Sequence, residues 1–156
     1  MRIFISYSNP DLTKVRALGN QLNIFGDVFF WNQCNVPGTV AWEQIYNWID
    51  NSDIVLVLIT GNTVTRASSV GQEVGRAKIM SKRIIPIVST DIPIAELGFL
   101  SGVTYQPIEI QNPLPAISRI SEVVGGLYEN MQQNNKSIAL GLISIAFLIL
   151  LNGNGK

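Results

Sequence analysis

Residues Ile54–Ile59 read IVLVLI, six apolar side chains in succession, preceded by Asp53 and followed by a Thr-Gly-Asn turn sequence at 60–62. A strand with one face in water alternates apolar and polar residues, whereas an unbroken apolar run is typical of a strand buried on both faces. Such strands belong to parallel sheets that helices cover on both sides. The run therefore predicts a parallel α/β domain.

Strand-like and helix-like segments alternate on either side of this run. The other predicted strands cover residues 2–7, 28–30, 83–88 and 103–108. One predicted helix starts after a turn at 9–11 and carries Leu12, Val15, Leu18 and Leu22 at helical spacing. Three more predicted helices cover residues 41–51, 69–81 and 115–131. Because proline cannot donate a backbone hydrogen bond, we expect Pro86 of the strand 83–88 to lie toward the strand end or at a bulge. The alternation predicts a flavodoxin-like, doubly wound sheet of five parallel strands in the order 2-1-3-4-5, within a domain of residues 1–131.

The composition excludes several kinds of chemistry. The chain has no histidine, one cysteine (Cys34) and 11 basic against 11 acidic residues. Without histidine there is no Ser-His-Asp triad, no Cys-His pair and no imidazole metal site. A single cysteine excludes an intrachain disulfide and a thiolate zinc cluster, and the balanced charge gives no sign of a nucleic-acid surface. We therefore expect no metal site and no nucleic-acid partner, and chemistry from carboxylates, hydroxyls, aromatic rings and backbone groups.

A ligand site is expected where the strand order reverses, between the first and third strands. Tyr7 and Ser8 follow the first strand there, and the helix after the third strand carries one carboxylate, Glu73. Helical periodicity places Glu73 beside the apolar face of that helix rather than opposite it. An ordinary helix glutamate in an (i, i+3) ion pair with Arg76 explains the same position. The glycines at 71 and 75 indicate close approach of a ligand, a helix or another chain.

Four segments in order resemble the TIR (Toll/interleukin-1 receptor) domain family. They are Phe4-Ile5-Ser6-Tyr7-Ser8 with Asp11, Val36-Pro37-Gly38 with Trp42, residues 51–59, and residues 68–77 with IIPI at 84–87. The similarity extends over roughly residues 1 to 130 and implies the TIR fold. The segments are most similar to those of small prokaryotic TIR proteins, including those of Thoeris-type antiphage systems.

The resemblance also implies a function. Prokaryotic TIR domains of this kind cleave the nicotinamide–ribose bond of NAD⁺ and release nicotinamide with ADP-ribose or a cyclic ADP-ribose isomer, in antiviral defence signalling. The family's essential glutamate corresponds to Glu73. NAD⁺ is then the substrate, no cofactor is needed, and TIR–TIR contacts would form a homo-oligomer.

The same resemblance indicates which residues bind substrate. They are Tyr7, Ser8, Trp31, Gly38 and Ser69. Ser69 stands where the family often has a tryptophan that stacks on nicotinamide, so Trp31, Trp42 or Tyr7 would have to replace that ring. Gly38 would let the closing loop move. Packing in the core or a loop is an alternative role for each aromatic residue.

The mean hydropathy of +0.26 is due to the apolar, uncharged segment 137–151. A polar linker at 132–136 precedes this segment, and a polar tail at 152–156 follows it. As a helix, 15 residues extend about 22 Å, against a hydrocarbon core of about 30 Å. Because the helix would be apolar around its whole circumference, we predict a single-pass C-terminal membrane anchor with a cytoplasmic TIR domain. Burial in a partner or in a helix bundle is the alternative.

Two other functions fit the same sequence. One is a non-catalytic TIR scaffold that self-assembles at a membrane, because fold alone does not establish an enzyme. The other is a receptor domain that binds a nucleotide without turning it over.

Overall fold

The computed structural model describes residues 1–31, 41–64, 67–93, 98 and 102–153. The chain divides into two compact units, Met1–Ser121 and Glu122–Lys156. The strands are β1 (Arg2–Ser6), β2 (Asp27–Phe30), β3 (Ile54–Ile59), β4 (Arg83–Ser89) and β5 (Gln106–Ile108). The helices are α1 (Leu12–Leu22), α2 (Ala41–Asn51), α3 (Gly61–Val64), α4 (Ala67–Ile79) and α5 (Leu114–Gly153), with single 3-10 turns at Asn9–Asp11 and Asn23–Phe25.

The described strands form one parallel sheet in the order β2-β1-β3-β4-β5. This confirms the predicted doubly wound α/β architecture and its strand order. β3 lies between β1 and β4, and all six of its side chains are at most 2% exposed. The unbroken apolar run is therefore explained by its neighbours, because a strand inside a covered sheet has no face in water.

One face of the sheet is covered by α2 and α4. The cluster on that face combines Phe4 of β1 and alternate residues of β3 with apolar residues of the two helices: Ile45, Ile49, Val70, Val74 and Ala77. In each helix these residues recur at spacings of three, four or seven, so they share one side. Packing of this side against the sheet fixes the two helices from which the site described below is built.

The fourth and fifth strands differ from the sequence prediction, one in the position of its proline and the other in its length. β4 continues through Pro86, which is buried and pairs with Val57 of β3. β5 pairs with β4 only from Ile87 onward, so proline precedes the part of the strand that has two neighbours, and its missing N–H is tolerated. The predicted strand 103–108 forms only over Gln106–Ile108.

The second unit contains the part of α5 from Glu122 onward, and the helix continues without a break through the predicted linker 132–136. Those residues contain neither glycine nor proline, the two residue types that most strongly interrupt helices. The polar linker and the segment 137–151 are therefore consecutive parts of one helix.

Within the described part of the chain, no helix combines the length and the apolar character that crossing a bilayer requires. The predicted single-pass anchor, the membrane partner and the membrane localisation are therefore wrong. The physical reason is the short apolar run, which extends about 22 Å as a helix against a hydrocarbon core of about 30 Å. The turns of α5 that precede it are polar.

Candidate active site

A cavity of about 210 Å³ lies at the carboxyl ends of β1 and β2, beside the first turns of α2 and α4. All of its lining residues belong to the first unit: Tyr7, Asn9, Trp31, Ala41, Trp42, Ile45, Ser69, Val70 and Glu73. This is the edge of the sheet at which parallel α/β folds bind ligands, next to the reversal of strand order. Four residues predicted for the site, Tyr7, Trp31, Ser69 and Glu73, are brought together here.

Glu73 is the one acidic side chain among the described residues that line the cavity. It lies on α4 between Val70 and Val74, which are each 1% exposed, and Glu73 itself is 8% exposed. The helical periodicity thus places it correctly, at the border of the buried face. Ser69, one turn earlier on α4, lines the same cavity. A carboxylate in this position can stabilise positive charge that develops on a bound ligand.

Arg76 bears on the alternative role of Glu73 as an ion-paired helix residue. Its guanidinium forms a bidentate ion pair with Asp50 of α2, with 2.7 Å between Nε and Oδ1. The structure thus places Arg76 in an ion pair that joins α4 to α2.

Aromatic residues form much of the cavity wall, and each of them packs against another aromatic ring. The Tyr7 hydroxyl donates a hydrogen bond to the backbone carbonyl of Trp31, and the Tyr7 ring packs edge-on against Phe30 at 6.2 Å. The Trp31 ring packs against the Trp48 ring, with 6.2 Å between the ring centres. On α2, Trp42 packs on Tyr46 at 5.6 Å. The rings predicted to replace the missing tryptophan at position 69 therefore all line the cavity, where a planar ligand group can stack on them.

Ser8 does not line this cavity. Its side chain is buried, 1% exposed, and its hydroxyl donates to the backbone carbonyl of Asn62 at 3.1 Å. Ser8 thus ties the end of β1 to the turn after β3. The predicted loop residue Gly38 lies outside the described residues.

Three residues that were not predicted to bind substrate also line the cavity: Asn9, Ala41 and Ile45. Asn9 begins the 3-10 turn directly after β1, in the segment predicted to border the crevice. Ile45 lies one turn after Trp42 on the buried side of α2. The apolar periodicity of α2 was the signal for Ile45, but it does not distinguish a core residue from one at a cavity wall.

Close approach at the two glycines of α4 is not explained by the fold. A Cβ atom built on Gly71 or Gly75 would meet no described atom within 4 Å. A neighbouring helix in the described part of the chain therefore does not require these glycines, and a ligand or a second chain stays a prediction.

A model of the TIR domain family matches residues 3–117. No curated protein matches the chain in sequence.

Solved structures share the fold. The TIR domains of the activated Roq1 resistosome, which directly recognises the pathogen effector XopQ, match with a TM-score of 0.63 at 13% identity, over 79% of this chain and 98% of that one. The TIR domain of the Toll-related receptor TRR-2 from Hydra magnipapillata matches with 0.59 at 20% identity, over 83% and 97%. The CMP N-glycosidase BcmB of Clostridium botulinum matches with 0.52 at 14% identity, over 77% and 98%.

Proposed function

The chain belongs to the TIR domain family, and we propose that it is an enzyme that cleaves the nicotinamide–ribose bond of NAD⁺. The observation that carries the proposal is the position of Glu73, a carboxylate at the wall of a cavity that is otherwise lined by aromatic, apolar and uncharged polar residues. The cavity lies at the sheet edge where this class of fold binds ligands.

The reaction suits a site without histidine. When the bond between ribose C1′ and the nicotinamide nitrogen breaks, the electron pair leaves with nicotinamide, which changes from a cation to a neutral molecule. The leaving group therefore needs no general acid. The ribose becomes oxocarbenium-like, and the negative charge of Glu73 stabilises it, as carboxylates do in glycoside hydrolysis.

The oxocarbenium ion is then captured at C1′. Water attack with loss of a proton gives ADP-ribose, so that NAD⁺ and water are converted to nicotinamide, ADP-ribose and a proton. Attack by an adenine nitrogen or a ribose hydroxyl of the same substrate gives a cyclic isomer. Exclusion of water from the closed site favours the cyclic product.

The cavity size indicates that only one end of the dinucleotide enters. A volume of about 210 Å³ is below the roughly 300–1,000 Å³ of sites that enclose a drug-sized ligand. The nicotinamide ring with its ribose is the part that has to reach Glu73, and stacking on Trp31, Trp42 or Tyr7 would orient it. Ser69 leaves space on α4 where a tryptophan would fill part of the cavity.

The wider role that we propose is antiviral defence signalling by a small prokaryotic TIR protein that acts as a homo-oligomer. Its support is the resemblance of residues 68–77 to Thoeris-type sequences, together with the likeness of the fold to TIR domains in a resistosome. The likeness to an N-glycosidase that acts on CMP agrees with cleavage of an N-glycosidic bond on this fold.

A non-catalytic TIR scaffold is the second candidate. Ser69 favours it, because a serine cannot stack on nicotinamide as a tryptophan does. The two candidates differ in whether nicotinamide is released.

The test is an assay of nicotinamide release. The full chain is incubated with NAD⁺ and the products are separated by chromatography, for the wild type, Glu73→Gln and the control Glu129→Gln, which changes an exposed carboxylate of the second unit. We expect release by the wild type and the control and none by Glu73→Gln. No release by the wild type at high protein concentration would support the scaffold, and equal release by all three would show that Glu73 is not catalytic.

A further inference from the structure

The ion pair between α2 and α4 lies next to the candidate active site. Arg76 follows Glu73 by three residues, close to one turn of α4. Its guanidinium uses Nε and Nη2 for the two carboxylate oxygens of Asp50. This parallel, two-bond arrangement fixes the plane of the guanidinium as well as its position.

The fixed guanidinium also contacts an aromatic residue. Its central carbon lies 5.5 Å from the centre of the Tyr46 ring, within the range of cation–π attraction. Tyr46 in turn packs on Trp42 at 5.6 Å, and Trp42 lines the cavity. Trp42, Tyr46 and Asp50 are spaced by four residues, so they follow one another along one side of α2.

The end of α2 is held a second time. The Lys82 ammonium donates to the backbone carbonyl of Asp50 at 2.7 Å. A cation at the last turn of a helix satisfies a carbonyl that has no partner within the helix. Asp50 is thus fixed through its side chain by Arg76 and through its backbone by Lys82.

Stability alone does not account for such an arrangement. The side chains of Arg76 and Asp50 are 35% and 27% exposed, and ion pairs that are this accessible to water add little to the free energy of unfolding. Geometry is the more specific property, because the planar fork of arginine cannot be replaced by the point charge of lysine.

We propose that Arg76 is a positioning residue for the NAD⁺ site: held by Asp50 and stacked on Tyr46, it fixes Trp42 at the α2 wall relative to Glu73 on α4. This inference rests on the proposed function. Since Arg76 acts through a ring that contacts substrate, its loss weakens substrate binding more than it slows bond cleavage.

The kinetic test uses Arg76→Gln, Arg76→Lys, Trp42→Leu and the double variant, with Lys78→Gln as a control that removes an exposed cation from the same helix. We expect Arg76→Gln to raise the KM for NAD⁺ about tenfold while kcat changes about twofold or less, as for a displaced binding group. Arg76→Lys keeps the positive charge but cannot form the two parallel hydrogen bonds to Asp50, so we expect its KM to stay above the wild-type value. In the Trp42→Leu background, Arg76→Gln has no additional effect on KM, because the two residues act in series.

An unchanged KM in Arg76→Gln, full restoration by lysine, or additive effects in the double variant would overturn the positioning role. If circular dichroism shows that Arg76→Gln does not fold, Asp50→Asn takes its place in the same series. This variant removes the carboxylate that pairs with the Arg76 guanidinium.

A second readout does not depend on activity. The full chain is labelled with 5-fluorotryptophan, and the ¹⁹F resonance of Trp42 is assigned by its absence in Trp42→Phe. We expect Arg76→Gln to shift or broaden this resonance, and Lys78→Gln to leave it unchanged. If the wild type releases no nicotinamide but the resonance shifts, the proposed function fails and the network stands. If nicotinamide is released but neither the resonance nor KM changes, only the network is overturned.

Discussion

Glu73 and Asp11 are two buried carboxylates, 8% and 0% exposed, at the same edge of the sheet. Asp11 ends the 3-10 turn after β1, and Asn9 at the start of that turn lines the cavity that contains Glu73. The turn that ends at Asp11 thus begins at the wall of the cavity that Glu73 lines. The surroundings of the two carboxylates differ in a way that assigns them different roles.

Asp11 is surrounded by donors from the protein. Its oxygens accept hydrogen bonds from the Thr60 hydroxyl at 2.6 Å, the Lys14 ammonium at 2.9 Å and the Asn62 amide at 3.2 Å. Asp11 borders an open cleft of about 470 Å³, yet its side chain has no exposed surface. Glu73 lies instead on a wall shared with aromatic rings. Two carboxylates at one edge of the sheet are therefore both buried and yet lie in different surroundings.

The largest effect is expected from moving the carboxylate of Glu73. Glu73→Asp keeps the charge but withdraws it by one methylene group, and a displacement of this size lowers kcat about 100-fold. The free energy of unfolding should fall by about 1 kcal/mol, the typical cost of a single substitution. Steady-state release of nicotinamide and urea unfolding measure the two quantities. Full activity of Glu73→Asp would contradict the proposed role of Glu73, because the position of its carboxylate would not matter for catalysis.

The second effect concerns stability. Asp11→Asn keeps the shape of the side chain but places an amide among donors, so it loses charge-assisted hydrogen bonds and lowers the free energy of unfolding by about 2 kcal/mol. Urea denaturation of the wild type and the variant measures the difference. A variant as stable as the wild type would show that the bonds to Asp11 do not hold the turn.

The alternation of strands and helices predicted the sheet order, and helical periodicity predicted Glu73 at the border of an apolar face, because periodicity reports which side of an element is buried. The aromatic lining was predicted from the resemblance to the TIR family. It did not predict that Tyr7 contacts the cavity while Ser8 does not. That choice depends on Asn62, a residue 54 positions away, which accepts the Ser8 hydrogen bond. Contacts between distant segments have no periodic signal. The membrane anchor was wrong for a related reason, since an apolar composition was given more weight than the length of the run.

Tyr7 and Ser8 are neighbours in sequence with different surroundings. Tyr7 lines the cavity, whereas the Ser8 hydroxyl donates to the Asn62 carbonyl. Tyr7→Phe removes the hydrogen bond to the Trp31 carbonyl and should raise the KM for NAD⁺ about fivefold, the equivalent of one hydrogen bond. Ser8→Ala should leave KM unchanged and lower the free energy of unfolding by about 1 kcal/mol. Kinetics and urea unfolding of both variants provide the check. An increase of KM in Ser8→Ala would place Ser8 with the substrate-binding residues after all.

The smallest effect comes from a third carboxylate, Asp50. The hydrogen bonds from Arg76 lower its pKa below the usual 3.8, burial opposes this, and the charges of Arg76 and Lys82 add to the lowering. Because the pKa is lower in the folded state, the stabilisation is complete above the unfolded pKa and disappears as the pH falls through the folded pKa. Asp50→Asn should therefore lower Tm by about 2 °C near neutral pH. The difference between the two proteins should start to shrink near pH 3.8 and vanish once the pH is below the folded pKa of Asp50. A difference that grows in acid would contradict the direction of the pKa shift.

The central claim is that one buried carboxylate serves catalysis and the other serves the fold. The most direct measurement is nicotinamide release in a single turnover, expressed per folded molecule, for Glu73→Gln and Asp11→Asn at a temperature where urea titration shows both to be folded. The account predicts no detectable release by Glu73→Gln, and a rate close to that of the wild type for Asp11→Asn. Release by Glu73→Gln at the wild-type rate, or inactivity of fully folded Asp11→Asn, would contradict it.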